Sequence, residues 1–250
     1  MSSTPPPRFS PFPRLAEGYW VESRRPLASL VFIAPLLIVY EAGVLVLGTQ
    51  TVRNGADVWL RQFLDLIGFG QYFLLPILTV CILLAWHYTT RQPWKITRGL
   101  LWGMTGECLL LSICLWLLLR LQGSLWHGVT ASIQLSIRET AGNVVRFLGA
   151  GIYEELLFRL ILLSLILWVL RRLRVGPRTS MISAVLLTSL LFAAAHHVGQ
   201  YREAFSAFDF LFRTLAGVFF SILFVCRGFG ITAGTHAGYD ILVGLFVREG

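Results

Sequence analysis

Glu154 and Glu155 stand side by side at the head of the run EELLFRLILLSLILWVL, with Arg159 inside it. A charge set in hydrocarbon is costly unless it faces a protein interior or a water-filled cavity. His196 closes a second apolar run, and His236 and Asp240 lie within a third. Residues four apart share a helix face, so Glu155 is spaced to pair with Arg159. Glu154 is turned about 100° away and faces something else. It is the candidate general base of the set.

The histidines fall in two patterns. His196 lies in LFAAAHHVG, with Phe192 four residues earlier on the same face. His197 points elsewhere and reads as an interfacial residue. His236 and Asp240, in GITAGTHAGYDILVG, also share a face, with alanine and glycine between them. Small residues let another backbone approach closely. Two chemistries suit the set. Glu154 can deprotonate a water with help from His196, while His236 donates to a developing oxyanion. Alternatively His196, His236 and Glu154 can bind zinc, which accepts two histidines, a carboxylate and a water. The residues leave both open, although no HExxH motif is present.

The rest of the chain must place these groups in a membrane. Of its 250 residues, 56% are hydrophobic and 14% charged, and the mean hydropathy is +0.70. Soluble domains carry about 25% charged residues. Seven apolar stretches approach the ~20 residues that cross a bilayer. They are Leu27–Gly48, Phe69–Tyr88, Gly99–Leu121, Val145–Leu170, Ser180–His197, Phe208–Cys226 and Gly230–Val247. Leu125–Ala141 is mildly amphipathic and supplies an eighth, short element or an interfacial one. The expectation is an all-α, polytopic transmembrane bundle of seven or eight spans, with a break or tilt near Gly149–Gly151. Residues 1–26 read as a basic, proline-rich, irregular tail, and 27–250 as one membrane domain. Cys81, Cys108, Cys114 and Cys226 lack CxxC spacing and read as membrane-buried packing residues.

Charge gives an orientation. The tail and the loops holding Arg91, Lys95 and Arg98, and Arg171, Arg172, Arg174 and Arg178, are basic. Cytoplasmic loops carry the excess of Lys and Arg, so the tail and both loops are assigned there. The net charge of +8 fits anionic headgroups, and no nucleic-acid-binding fold is signalled. The arrangement has a tension of depth. His196 falls near the non-cytoplasmic end of its span, and His236 near the start of the last. A shared site requires tilted or broken helices. Glu41 and Glu107, also at membrane depth, are expected to pair with arginines or line a water path.

The ordered set Glu154-Glu155-x-x-x-Arg159, Phe192-x-x-x-His196 and His236-x-x-x-Asp240 resembles the CPBP group. These are the type II CAAX prenyl endopeptidases and their bacterial relatives, some linked to bacteriocin self-immunity. The similarity covers about Gly149 to Val247, within a protease-like core placed at about 142–247. It implies a peptidase of the bacterial plasma membrane, the inner membrane where there are two, and the charge pattern above puts its N-terminus in the cytoplasm. Such an enzyme cuts a membrane-associated protein or peptide without a covalent intermediate. It further implies Glu154 as the water-activating base, His196 beside the water and His236 as oxyanion donor. Glu155, Arg159 and Phe192 shape the site. It implies no cofactor, with zinc as the alternative. The last position is often asparagine, and Asp240 departs from that: an ionised carboxylate cannot donate a hydrogen bond. A non-enzymatic immunity or scaffold protein, and a small proton-coupled transporter, are the competing readings. The lack of a detectable inverted repeat counts against the transporter.

Overall fold

The computed structural model describes residues 14–48, 53–70, 72–126, 137–199 and 204–246, and these are helical throughout apart from short turns. In chain order the helices are α1 (Arg14–Glu22), α2 (Pro26–Leu47), α3 (Gly55–Leu66), α4 (Leu74–Thr89), α5 (Arg98–Trp126) and α6 (Ile137–Glu155). A π-helix (Leu156–Leu163) follows, then α7 (Ser164–Arg172), α8 (Pro177–Ala195), α9 (Ala207–Arg227) and α10 (Phe229–Phe246). Local chemistry sets several starts. Pro26 and Pro177 open α2 and α8 where a missing N–H costs nothing. Asn54 and Ser206 cap α3 and α9 by accepting from the backbone N–H of Asp57 and Asp209.

The expected bundle of seven or eight spans is corrected. Among the described residues four helices are long and apolar enough to cross a membrane: Pro26–Leu47, Arg98–Leu125, Pro177–Ala195 and Ala207–Arg227. Each remaining candidate fails for a physical reason. The 16 residues of α4 rise only about 24 Å, short of the ~30 Å hydrocarbon thickness. The fourth candidate is divided by the π-helix and carries Arg146, Glu154, Glu155 and Arg159. The seventh, α10, is enclosed by α2, α5, α6 and α9. Its apolar residues face protein, and on length and composition it falls outside the four. Most of the possible eighth element, residues 127–136, lies outside the described residues.

The four long helices are dressed for lipid. On α8, Leu186, Leu187, Leu190 and Leu191 are exposed, whereas Ala184, Thr188, Ser189 and Ala193 are buried. Large apolar side chains outside and small ones inside suit a bilayer, where close helix packing rather than hydrophobic sorting joins the elements.

Arg227 ties one end of the bundle. It donates from Nε to Glu107 (2.5 Å) and from Nη2 to Ser23 Oγ (2.8 Å), and its guanidinium lies 3.8 Å from the Trp20 ring centroid. Tyr19 OH donates to the same glutamate at 2.5 Å. These contacts hold α1 against the start of α5 and the end of α9. Part of the expected irregular tail is therefore a docked helix, and residues 1–13 lie outside the described residues. At the opposite end Gln122 donates to the Phe208 carbonyl (3.0 Å), joining the end of α5 to the start of α9. The cysteines are free, but only Cys108 packs inside; Cys81, Cys114 and Cys226 are exposed.

Candidate active site

Gly151 makes the site possible. A Cβ there would stand 2.6 Å from the Ala233 carbonyl oxygen and 2.7 Å from Ala237. The absent side chain lets α6 and α10 touch backbone to backbone. One turn later, Glu155 Oε1 meets His236 Nδ1 at 2.6 Å. The same oxygen meets Arg159 Nη1 at 3.1 Å, and both side chains of that pair are fully buried. Arg159 also donates to the Gly217 carbonyl at 3.3 Å. A Cβ at Gly217 would stand 2.9 Å from Ser189 Cα, so α8 and α9 approach closely there as well.

Arg159 sits in the π-helix. The break anticipated near Gly149–Gly151 therefore occurs at Leu156, just after the two glutamates. Single π turns inside α-helices are frequent at functional sites. Phe192 lies between the charged groups, its ring centroid 4.4 Å from the Arg159 guanidinium, 5.0 Å from His196 and 6.0 Å from His236. Phe220 stacks on His236, with centroids 4.5 Å apart and planes 15° from parallel.

Glu154 faces away from this pair, as its spacing requires. Its Oε2 lies 3.8 Å from His236 Nε2 and 4.0 Å from His196 Nε2. That oxygen is buried and makes no direct hydrogen bond. Asp240 Oδ2 is 3.6 Å from His236 Nε2. Glu154, Phe192, His196, His236 and Asp240 all line one cavity of about 880 Å³. The depth tension resolves through close approach: groups from the end of α8 and the first half of α10 reach Glu154 together. His197 lies apart, packed against Phe205 and Phe210.

Hydrogen bonding assigns the ring nitrogens. Glu155 is paired with Arg159 and so accepts; His236 Nδ1 donates to it. His196 Nδ1 donates to the Phe192 carbonyl at 2.9 Å, which leaves Nε2 as the acceptor in neutral imidazole. Both Nε2 atoms turn toward Glu154.

Glu41 and Glu107 take the structural option. Glu107 holds Arg227, and Glu41 accepts from Tyr153 OH (2.7 Å) and Arg61 Nη2 (3.0 Å). Asp57 completes that cluster, accepting from Arg61 Nε (2.6 Å), Arg53 (2.7 Å) and Tyr40 (2.7 Å). Burial opposes the charge on Arg61, but Asp57 and Glu41 outweigh it and hold its guanidinium above the usual range. The cluster fixes Tyr153, the residue before Glu154, and seats α3 beside the cavity.

Sequence reasoning missed Phe220, Gly217 and Tyr153. Phe220 is one of six phenylalanines in α9, with nothing in its spacing to single it out.

Residues 138–242 match the family described as Type II CAAX prenyl endopeptidase Rce1-like. The segment is a CAAX-protease-like family domain. It spans α6 to α10 and contains every site residue named above. No curated protein and no solved structure matches the chain. Zinc was the alternative occupant of Glu154, His196 and His236. Among the described residues no group of three or more His, Cys, Asp or Glu is found arranged to hold a metal ion.

Proposed function

We propose that the protein is an intramembrane endopeptidase that hydrolyses a peptide bond in a membrane-associated protein or peptide, with Glu154 activating water. The observation that carries this reading is the position of Glu154 Oε2: buried, without a direct hydrogen bond, and 3.8 and 4.0 Å from two histidine nitrogens on a cavity wall. Those separations exceed direct hydrogen bonds and suit groups that share one water.

The steps follow from the donor and acceptor roles. A water donates one hydrogen to Glu154 and the other to His196 Nε2. Its oxygen attacks the substrate carbonyl carbon as Glu154 takes the proton. The carbonyl oxygen becomes an oxyanion and accepts from His236 Nε2–H. Donation from both ring nitrogens makes His236 an imidazolium in the working form, and the carboxylates of Glu154, Glu155 and Asp240 surround that charge. Glu154 then returns its proton to the amide nitrogen, the C–N bond breaks, and a carboxylic acid and an amine leave with Glu154 restored as the carboxylate. Asp240 balances charge and orients His236; it does not donate to the oxyanion. Glu155, Arg159, Phe192 and Phe220 hold the imidazole in place. The protein resides in a plasma membrane with α1 and the basic loops on the cytoplasmic side.

Membranes carrying the wild type or Glu154→Gln provide the test. Mass spectrometry of peptide termini should show new carboxyl and amino ends only with the wild type. Equal sets of termini in both preparations would overturn the reading.

A further inference from the structure

The cavity is lined by buried residues on one side and by exposed residues on another. Its floor is Phe158, Ala216, Phe220 and His236, all buried. Its rim includes Arg120, Ser124, Arg146 and Val198, all exposed. The rim residues lie at one end of the bundle. Ser124 stands near the far end of α5 from Arg98, about 39 Å along the axis at 1.5 Å per residue. Val198 follows the far end of α8 from Pro177.

The near ends of those helices are the basic ones. Residues 90–98 carry three basic residues and no acidic one, and residues 171–178 carry four and none. At the rim end, Arg53, Arg61, Arg120, Arg146 and Arg213 are offset in part by Glu41, Asp57 and Asp209, so the excess of positive charge is smaller there than in the two loops. Helix α1, which Arg227 fastens, also belongs to the basic end. Short loops rich in Lys and Arg remain in the cytoplasm. Phe158 and Phe220 are buried lining residues on the helices that run on from the cavity toward that side.

We propose that the cavity opens on the non-cytoplasmic face of the membrane. Its substrate is then a membrane-associated peptide that presents the bond to be cut on that face, such as an exported or translocated segment. The assignment rests on the hydrolytic reading only for the nature of the substrate. The face itself follows from charge and topology.

Cysteine labelling tests it. Cys81, Cys114 and Cys226 are replaced by alanine, and buried Cys108 is retained. Ser124→Cys and Val198→Cys report the rim, and Lys95→Cys and Arg174→Cys report the basic loops; all four sites are exposed. A membrane-impermeant maleimide is added to intact spheroplasts of a bacterial host, and separately to opened membranes. The rim cysteines should react in intact spheroplasts, and the loop cysteines only once the membrane is opened. Rim cysteines that react only in opened membranes, or in neither preparation, would overturn the proposal, as would all four reacting from one face. Labelling does not depend on turnover. A reversed pattern beside an inactive Glu154→Gln would refute the face and leave the hydrolysis intact. The expected pattern beside an active Glu154→Gln would do the opposite.

Discussion

Arg159→Met should destabilise the protein severely, and a second substitution should repair the fold without repairing turnover. Arg159 is fully buried, pairs with Glu155 at 3.1 Å and lies 4.4 Å from the Phe192 ring centroid. Removing it strands the Glu155 carboxylate in the interior beside His236. Breaking a buried pair from one side costs about 3–5 kcal/mol. For a chain of this size each kcal/mol moves Tm by about 2–4 °C, so the expected fall is roughly 6–20 °C. Thermal unfolding in detergent, with folded yield from size-exclusion chromatography, measures it. Adding Glu155→Gln removes the stranded charge, and replacing both members of a buried pair is often close to neutral. The double variant should therefore recover most of the lost Tm. It should stay inactive, because the glutamine no longer holds the His236 imidazolium with a charged acceptor. An Arg159→Met variant with wild-type Tm and no turnover would refute this reasoning and place the guanidinium on the substrate.

Three further outcomes follow from the same geometry. Gly151→Ala puts a methyl group within 3 Å of α10 backbone, so Tm and turnover should fall together; a fall in neither would show that the α6–α10 contact is loose. Phe220→Leu removes the ring stacked on His236 but keeps an apolar side chain, so turnover should drop more than Tm; unchanged turnover would remove Phe220 from the positioning shell. Asp240→Asn keeps the shape and discards one of three carboxylates near His236, so turnover should fall less than in Glu154→Gln; an equal loss would make the charge at position 240 indispensable.

Much of the site is legible in the sequence because spacing on a helix is local. The Glu155–Arg159 pair and the outward turn of Glu154 follow from positions four residues and one residue apart. What hydropathy misreads is the number of spans. An apolar residue facing lipid and one facing protein look alike in a window, so α10 resembles a span while packing as a core helix. The π-helix is invisible because nothing in LLFRLILL marks a switch to the wider turn; it is stabilised by what surrounds it. Phe220 is hidden for a similar reason, since its role depends on the register between α9 and α10. The helical part of the N-terminal segment is concealed by the prolines before it. It is fixed by Arg227, more than 200 residues away.

Turnover by Glu154→Gln tests the central claim most directly. The change is nearly isosteric and removes the base while leaving the Glu155–Arg159–His236 cluster in place. Purified wild type and variant, matched for Tm and with metal content assayed alongside, are reconstituted in liposomes and given a membrane peptide found cleaved by the wild type. Glutamate-activated hydrolysis predicts a folded variant that binds the peptide and releases no product. Turnover by Glu154→Gln at the wild-type rate would contradict it.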